Sequence, residues 1–317
     1  MNGNAILIAV DGPHAAEWID LFRAQAGGRS VRAWPHDLGD PADIGYACVW
    51  RAPAGLLASL PNLRMIVSLA AGVDHLFDDP SLPNVPIVRA AHPDLSMRVT
   101  EYVVLHCLRY HRRQPLYDAQ QRRRIWAVHP QPAASEVAVG VIGLGVIGGE
   151  AARVLARIGF RVAGWSASPK TIEGVATYHG PDGLDAFLAR TEILVCLLPL
   201  TADTRGILNR SLFAKLKSDG AAGGAFLINA GRGGLQIDAD ILAALDDEVL
   251  AGATLDVFPQ EPLPVDSPMW SHPKVTVTPH NAGDILPAFL AADVLDQIGR
   301  FERGEPLLHV VDRTRGY

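Results

Sequence analysis

The sequence predicts an α/β protein of two parallel-sheet domains, one inserted into the other, and three observations carry that prediction. Short apolar runs bounded by turn residues recur along the chain. Segments with helical spacing separate them, and strands alternating with helices imply a parallel sheet. The length of 317 residues gives about two domains at roughly 100 to 200 residues each.

In chain order, Ala5 to Val10 opens as a buried strand, a helix follows around Ala15 to Ala26, and Tyr46 to Trp50 and Met65 to Ser68 continue the sheet to about Val88. Leu95 to Arg113 carries Val99, Tyr102, Val103, His106 and Cys107 near helical spacing and reads as an interdomain helix. Gln114 to Pro132 turns to Gln, Arg and Pro and reads as a surface connection. Its run Arg122, Arg123, Arg124 reads as a solvated or subunit-facing segment, because no aromatics interleave it. A second series then comprises Val137 to Ile142, Phe160 to Trp165, Ile193 to Leu198, Phe226 to Asn229, Ala253 to Val257 and Val275 to Thr278, the pattern of a doubly wound sheet. The tail from Pro287 to Arg303 is helical by the spacing of Phe289, Leu290, Val294, Ile298 and Phe301, and it returns to the first domain. The first domain is therefore expected to be discontinuous, 1–104 with 285–317, around an inserted domain 105–284.

Composition removes several classes of function. With 49% hydrophobic and 20% charged residues the chain is globular, and a net charge of −6 argues against nucleic acid, whose binding needs massed Lys and Arg. Purely apolar stretches such as Ala5 to Val10 and Ile193 to Leu200 fall far short of the roughly 20 residues that cross a bilayer. No Lys or Arg precedes Ala5, and Asp11-Gly12-Pro13 ends the first apolar run, so a secretory signal is not expected and the cytoplasm is. Cys48, Cys107 and Cys196 are odd in number and set in apolar surroundings, which suits buried thiols and neither disulfides, a metal site nor a nucleophile.

The strongest local motif is Gly143-Leu144-Gly145-Val146-Ile147-Gly148. Its context matters more than its letters: an apolar strand ends just before it, and Ala151, Val154, Leu155 and Ile158 after it keep one helical face up to Gly159. Gly143 permits a tight turn and Gly145 lets backbone N–H groups approach a pyrophosphate. Gly148 allows helix and strand to pack closely, with Val146 and Ile147 in the first helical turn facing the anion. NAD sites place an Asp or Glu about 20 residues on, for the ribose 2′-hydroxyl. This chain instead has Trp165-Ser166-Ala167-Ser168-Pro169-Lys170, where Ser166, Ser168 and Lys170 could bind a 2′-phosphate. NADP(H) is therefore expected over NAD(H), with a polar turn free of phosphate contacts as the alternative.

Three later segments place polar residues after strands, at the carboxyl edge where open α/β sheets bind ligands: Asn229 to Gly233, Thr254 to Pro264 and Val277 to Gly283. Each of Arg232, Glu261 and His280 has an ordinary explanation alone, as surface ion pair, loop residue and core histidine. Together they supply the reduction of a 2-keto acid. His280 suits a proton donor, Glu261 would raise its pKa and fix its tautomer, and Arg232 suits a clamp for the substrate carboxylate.

With these residues the chain closely resembles the D-isomer-specific 2-hydroxyacid dehydrogenase family, and within it the glyoxylate and hydroxypyruvate reductases of the bacterial A type. The resemblance covers nearly the whole chain: Val49-Trp50, Ser68 to Asp74, the Gly143 motif, Trp165-Ser166, Leu197-Leu198-Pro199, Arg232-Gly233, the Glu261 and His280 segments and the ending Val311 to Tyr317. It implies Rossmann-like and flavodoxin-like domains, a substrate domain around a nucleotide domain, and catalysis by Arg232, Glu261 and His280. It also implies that Leu198 and Pro199 border the dinucleotide, that Asp256 meets the nicotinamide carboxamide, and that the backbone of Ala71, Gly72 and Val73 binds the substrate carboxylate. Trp50 and Trp270 would line the pocket, and two copies would pair as a homodimer. The implied reaction is NADPH-dependent reduction of glyoxylate to glycolate and of hydroxypyruvate to D-glycerate. Ala167 and Pro169 depart from a more basic phosphate turn, and Asn281, Gly283 and Asp284 depart from the apolar and small residues usual after the histidine. Glu261 sets the chain apart from the formate dehydrogenase branch. Two alternatives stay open: the same chemistry on a larger 2-keto acid, and a non-catalytic dinucleotide sensor.

Overall fold

The computed structural model describes residues 3–10, 15–283 and 287–316. The chain divides into two compact units, Met1–Asp94 with Ile285–Tyr317, and Leu95–Asp284. The expected border at residues 104 and 105 falls within a helix, and the division lies in that helix's first turn.

The first unit begins β1 (Ala5–Val10), α1 (Ala15–Gln25), β2 (Val31–Ala33), β3 (Ile44–Trp50), β4 (Met65–Ser68), α2 (Asp74–Phe77) and β5 (Ile87–Arg89). The five strands form a parallel sheet in the order β2-β1-β3-β4-β5. Successive side chains of a strand point to opposite faces, and here both faces are covered, which is why β1 reads as uninterrupted apolar sequence. Ile6, Ile8 and Val10 pack in one cluster with Trp18 and Phe22, while Ala5, Leu7 and Ala9 pack in another with Leu57, Leu60 and Leu76.

Next come α3 (Pro93–His111) and α4 (Gln114–Arg122), then the second series: β6 (Ala138–Ile142), α5 (Val146–Ile158), β7 (Arg161–Ser166), β8 (Val175–His179), α6 (Gly180–Leu188), β9 (Ile193–Cys196), α7 (Arg210–Phe213), β10 (Phe226–Asn229), α8 (Asp238–Asp246), β11 (Gly252–Leu255) and β12 (Val275–Val277). The last helix, α9 (Pro287–Arg303), belongs to the first unit, where Leu290, Ala291, Val294 and Ile298 close the cluster around Trp18 and Phe22. The tail helix thus packs on the domain the sequence assigned it to.

The second unit holds a seven-stranded parallel sheet in the order β12-β11-β10-β9-β6-β7-β8. The chain winds outward from β6 to β8, then recrosses to β9 on the other side of β6, so the order reverses between β6 and β9. Ligands bind outside the strand ends at such a reversal. On one face Val139 and Val141 meet Val103 and Cys107 of α3 and Leu155 of α5; on the other Leu194 and Cys196 meet Phe187, Phe213 and Leu245. All three cysteines are buried free thiols.

One expectation needs correction. Gln114 to Pro132, read as a connection, begins with α4, a helix with no buried residue. It therefore lacks the apolar periodicity by which helices are recognised. Pro115 presets its first turn, the backbone of Arg113 enters left-handed at φ 54°, and Arg109 bonds Asp118 at 3.0 Å. The three-residue strands β2 and β5 also escaped sequence reading, as did the five-residue β8, none of whose residues is fully buried.

Candidate active site

Because the seven strands are parallel, all their carboxyl ends open on one edge. Registers pair Ile142 with Trp165 and Cys196, Cys196 with Asn229, and Asn229 with Leu255; Leu255 pairs in turn with Val277. The glycine turn follows Ile142, Leu198 and Pro199 follow Cys196, and Arg232, Glu261 and His280 follow Asn229, Leu255 and Val277. Sequence-distant motifs therefore leave neighbouring strands spaced about 4.8 Å apart.

The glycine turn is shaped by backbone approach. A Cβ on Gly148 would lie 1.9 Å from the Gly143 carbonyl oxygen, and one on Gly143, whose φ is +108°, would lie 2.7 Å from the Leu197 carbonyl. Gly145 differs, with no atom within 4 Å of where its Cβ would stand. It caps α5 without any side chain on the helix N-terminus, leaving the first amides of a 13-residue helix for an anion. That open cradle fits a dinucleotide pyrophosphate. At the end of β7, Ser166 is buried and its hydroxyl donates to the Ser168 carbonyl at 2.8 Å, while Ser168 and Lys170 are exposed.

Arg232 follows a braced turn. The buried Asn229 accepts the Gly231 amide at 3.1 Å through Oδ1 and donates through Nδ2 to Gln236 at 2.7 Å and the Arg232 carbonyl at 3.3 Å. One guanidinium N–H of Arg232 donates to the Gly231 carbonyl at 2.8 Å. A Cβ on Gly233 would overlap the carbonyl carbon of Phe258 at 1.9 Å, so the Arg232 turn lies against the loop that carries Glu261. In that loop the Phe258 amide donates to Glu261 Oε1 at 3.0 Å, and Oε2 stands 2.8 Å from His280 Nδ1. A carboxylate only accepts, so Nδ1 carries the proton.

His280 is held left-handed at φ +56°, an unusual state for a residue with a side chain. Its amide donates to the Asp256 carbonyl at 2.8 Å. Asp256, 1% exposed, accepts the Asn281 amide on Oδ1 and the Ala282 amide on Oδ2, each at 3.0 Å, and the Thr278 hydroxyl on Oδ1 at 2.6 Å. The carboxylate expected to meet the carboxamide is thus engaged inside its own unit. Tyr102 reaches Thr278 at 2.7 Å, and burial pushes its phenol well above the usual range. Asn229, Thr278 and Tyr102 stand in segments marked from the sequence, but no role of their own was assigned to them there, and Gln236 was not named.

Of the remaining predicted residues, Trp270 is half exposed and its indole N–H donates to the Pro264 carbonyl at 2.9 Å. Trp50, Ala71, Gly72 and Val73 belong to the first unit. There the buried Ser68 hydroxyl donates to the Ala70 carbonyl at 3.2 Å and shapes the turn into Val73. Asn281 is exposed, Gly283 is packed on α3, and Asp284 lies outside the described residues. Among the described residues no cluster of metal-binding side chains occurs, and no helix is long and apolar enough to cross a membrane.

The fold order, the glycine turn and the uncapped α5 define a dinucleotide-binding protein. Residues 104–282 match the family model described as D-isomer specific 2-hydroxyacid dehydrogenase, NAD binding domain. The chain is 39% identical over 309 residues, 96% of each chain, to glyoxylate/hydroxypyruvate reductase A of Yersinia enterocolitica. Among solved structures it resembles the NADPH-dependent glyoxylate/hydroxypyruvate reductase of Sinorhizobium meliloti in complex with NADP and sulfate, at 45% identity and a TM-score of 0.92 over 99% of this chain and 100% of that one. A D-isomer specific 2-hydroxyacid dehydrogenase of Xanthobacter autotrophicus in complex with NADPH matches at 41% identity and a TM-score of 0.93, over 99% and 100% of the two chains. The chain belongs to the D-isomer specific 2-hydroxyacid dehydrogenase family, and is an NAD(P)-dependent oxidoreductase.

Proposed function

We propose that this protein reduces glyoxylate to glycolate and hydroxypyruvate to D-glycerate, with NADPH as the reductant. The observation that carries the proposal is the Glu261–His280 pair at 2.8 Å beside the Arg232 turn, on adjoining strand ends. When bound, the reduced dinucleotide supplies the hydride that reaches the carbonyl carbon. Arg232 holds the substrate carboxylate through its planar fork and draws electron density toward the carbonyl oxygen. His280, protonated, delivers a proton from Nε2 to that oxygen while Nδ1–H stays on Glu261, whose second oxygen is anchored by the Phe258 amide. Keto acid, NADPH and one proton become hydroxy acid and NADP⁺.

Gly143, Gly145 and Gly148, with the amides of Val146 and Ile147, hold the pyrophosphate, and Leu198 and Pro199 flank it. Ser168 and Lys170 would take the 2′-phosphate, while Ser166, expected to do so as well, gives its hydroxyl proton to the Ser168 carbonyl and shapes the turn that presents them. NADPH is supported by the absence of a carboxylate in that turn and by the dinucleotides carried by the two relatives. The amides of Ala71, Gly72 and Val73 and the indoles of Trp50 and Trp270 are assigned to the substrate. A homodimer is the proposed assembly, supported by the exposed stretch Ile125, Trp126 and Val128, with Trp126 98% exposed.

The test is spectrophotometric: oxidation of NADPH and NADH by the purified protein with glyoxylate, hydroxypyruvate, pyruvate and phenylpyruvate. Fast NADPH loss with the two small acids is expected. Preference for phenylpyruvate would overturn the substrate, preference for NADH the phosphate turn, and dinucleotide binding without turnover the reaction itself.

A further inference from the structure

We infer that Thr278 and Tyr102 are positioning residues for His280, acting through the carboxylate of Asp256. The inference rests on His280 being the proton donor. Asp256 presents three acceptors to three successive amides: its carbonyl to His280, Oδ1 to Asn281 and Oδ2 to Ala282. This triple grip keeps His280 left-handed at φ +56°, a strained conformation that persists only where surroundings enforce it.

The grip depends on the direction of the carboxylate, and Thr278 sets that direction. Its hydroxyl donates to Oδ1 at 2.6 Å, which uses its one proton. The contact at 2.7 Å from Tyr102 must therefore run from the phenol to the Thr278 oxygen. The result is a one-way chain, Tyr102 to Thr278 to Asp256, in which each oxygen orients the next. Water cannot substitute easily, because Asp256 is 1% exposed and a buried acceptor that loses its donor bears the desolvation cost.

The helix beneath is a firm base. Tyr102 lies on α3 in one cluster with Val99 and the buried Ala282. A Cβ on Gly283 would come within 3.1 Å of Leu95 and 3.2 Å of Val99, so the loop is seated directly on α3. Loss of the hydroxyl chain lets Asp256 turn and the His280 backbone relax, moving Nε2 away from the carbonyl oxygen it must reach. Misplacement by about 1 Å can lower turnover by roughly a hundredfold while leaving binding nearly intact.

The test compares Thr278→Val, Thr278→Ser and Tyr102→Phe by steady-state kinetics with glyoxylate and NADPH, and by the nitrogen-15 spectrum of the His280 ring. Thr278→Val is expected to lower kcat about ten- to a hundredfold with both KM values within about twofold, and to shift the His280 ring signals. Thr278→Ser keeps the hydroxyl and should restore both readouts; Tyr102→Phe should give a smaller loss in the same direction. Unchanged kcat and ring signals in Thr278→Val would overturn the inference, as would equal loss in Thr278→Ser. Should Thr278→Val fail to fold, Tyr102→Phe, which removes one oxygen, decides by the same two readouts. A wild-type protein that turns over no keto acid would remove the proposed function, and the ring spectrum would still decide whether Thr278 positions His280.

Discussion

The loop after β12 and the turn after β7 leave the same edge of the seven-stranded sheet, yet they are held very differently. In the first, His280 is fixed by Glu261 through its ring, by Asp256 through its backbone, and by α3 beneath. In the second, one hydrogen bond from Ser166 to the Ser168 carbonyl shapes the turn, and Ser168 and Lys170 extend into solvent. The difference follows from the tasks assigned to them. Proton delivery loses rate steeply with sub-ångström error, whereas attraction between an ammonium and a phosphate falls off slowly with distance. On the proposed roles, the rigid construction falls where exact geometry would matter most.

Substitutions can break or sharpen that contrast. The largest effect is expected at the rigid loop: His280→Ala should lower kcat for glyoxylate by about a thousandfold while NADPH binding, followed by fluorescence, persists. Retained turnover would remove His280 as the acid. Glu261→Gln should lower kcat about a hundredfold, since the amide still meets Nδ1 but no longer places a negative charge beside the ring. At the open turn, Lys170→Ala should raise the KM for NADPH about tenfold and leave NADH unaffected, with the difference shrinking as salt rises. An equal change for both dinucleotides would place Lys170 away from the 2′-phosphate.

The smallest expected effect concerns the base of the rigid loop. Burial and the nearby Arg109 push His106, whose ring lies tilted against Tyr102, down to about 4. Between its unfolded value near 6.5 and that value the unfolded chain binds more protons. His106 therefore favours the fold above about pH 6.5, and that contribution is lost as pH falls toward 4. Urea midpoints should decline from pH 7 to pH 4.5, and less steeply in His106→Gln; parallel declines would exclude His106 as the source.

Much of the candidate site was legible beforehand because its residues sit at places that chain direction alone defines. Gly143, Gly145 and Gly148 follow a buried apolar run and open a helix, and Arg232 and His280 each stand three residues past a strand end, at Asn229 and Val277. Parallel winding brings such positions to one edge. The relation of Glu261 to His280 was anticipated as chemistry, but its 2.8 Å distance depends on how the loop from Phe258 folds back. Asp256 shows the limit more clearly. Its place after β11 marked it for the edge, yet its carboxylate is turned inward by donors 22, 25 and 26 residues away.

Alternating apolar runs, turn glycines and helical spacing are local signals, and they sufficed for the class of fold and the parallel winding of the second sheet. They could not show α4, whose exposed face leaves no period, nor the short strands β2 and β5. Nor could they reveal that Tyr102 on α3 orients a threonine 176 residues later in the chain. That contact exists only because the sheet and α3 pack on each other, and hydrogen bonds across such separations leave no periodic trace in the residues that make them.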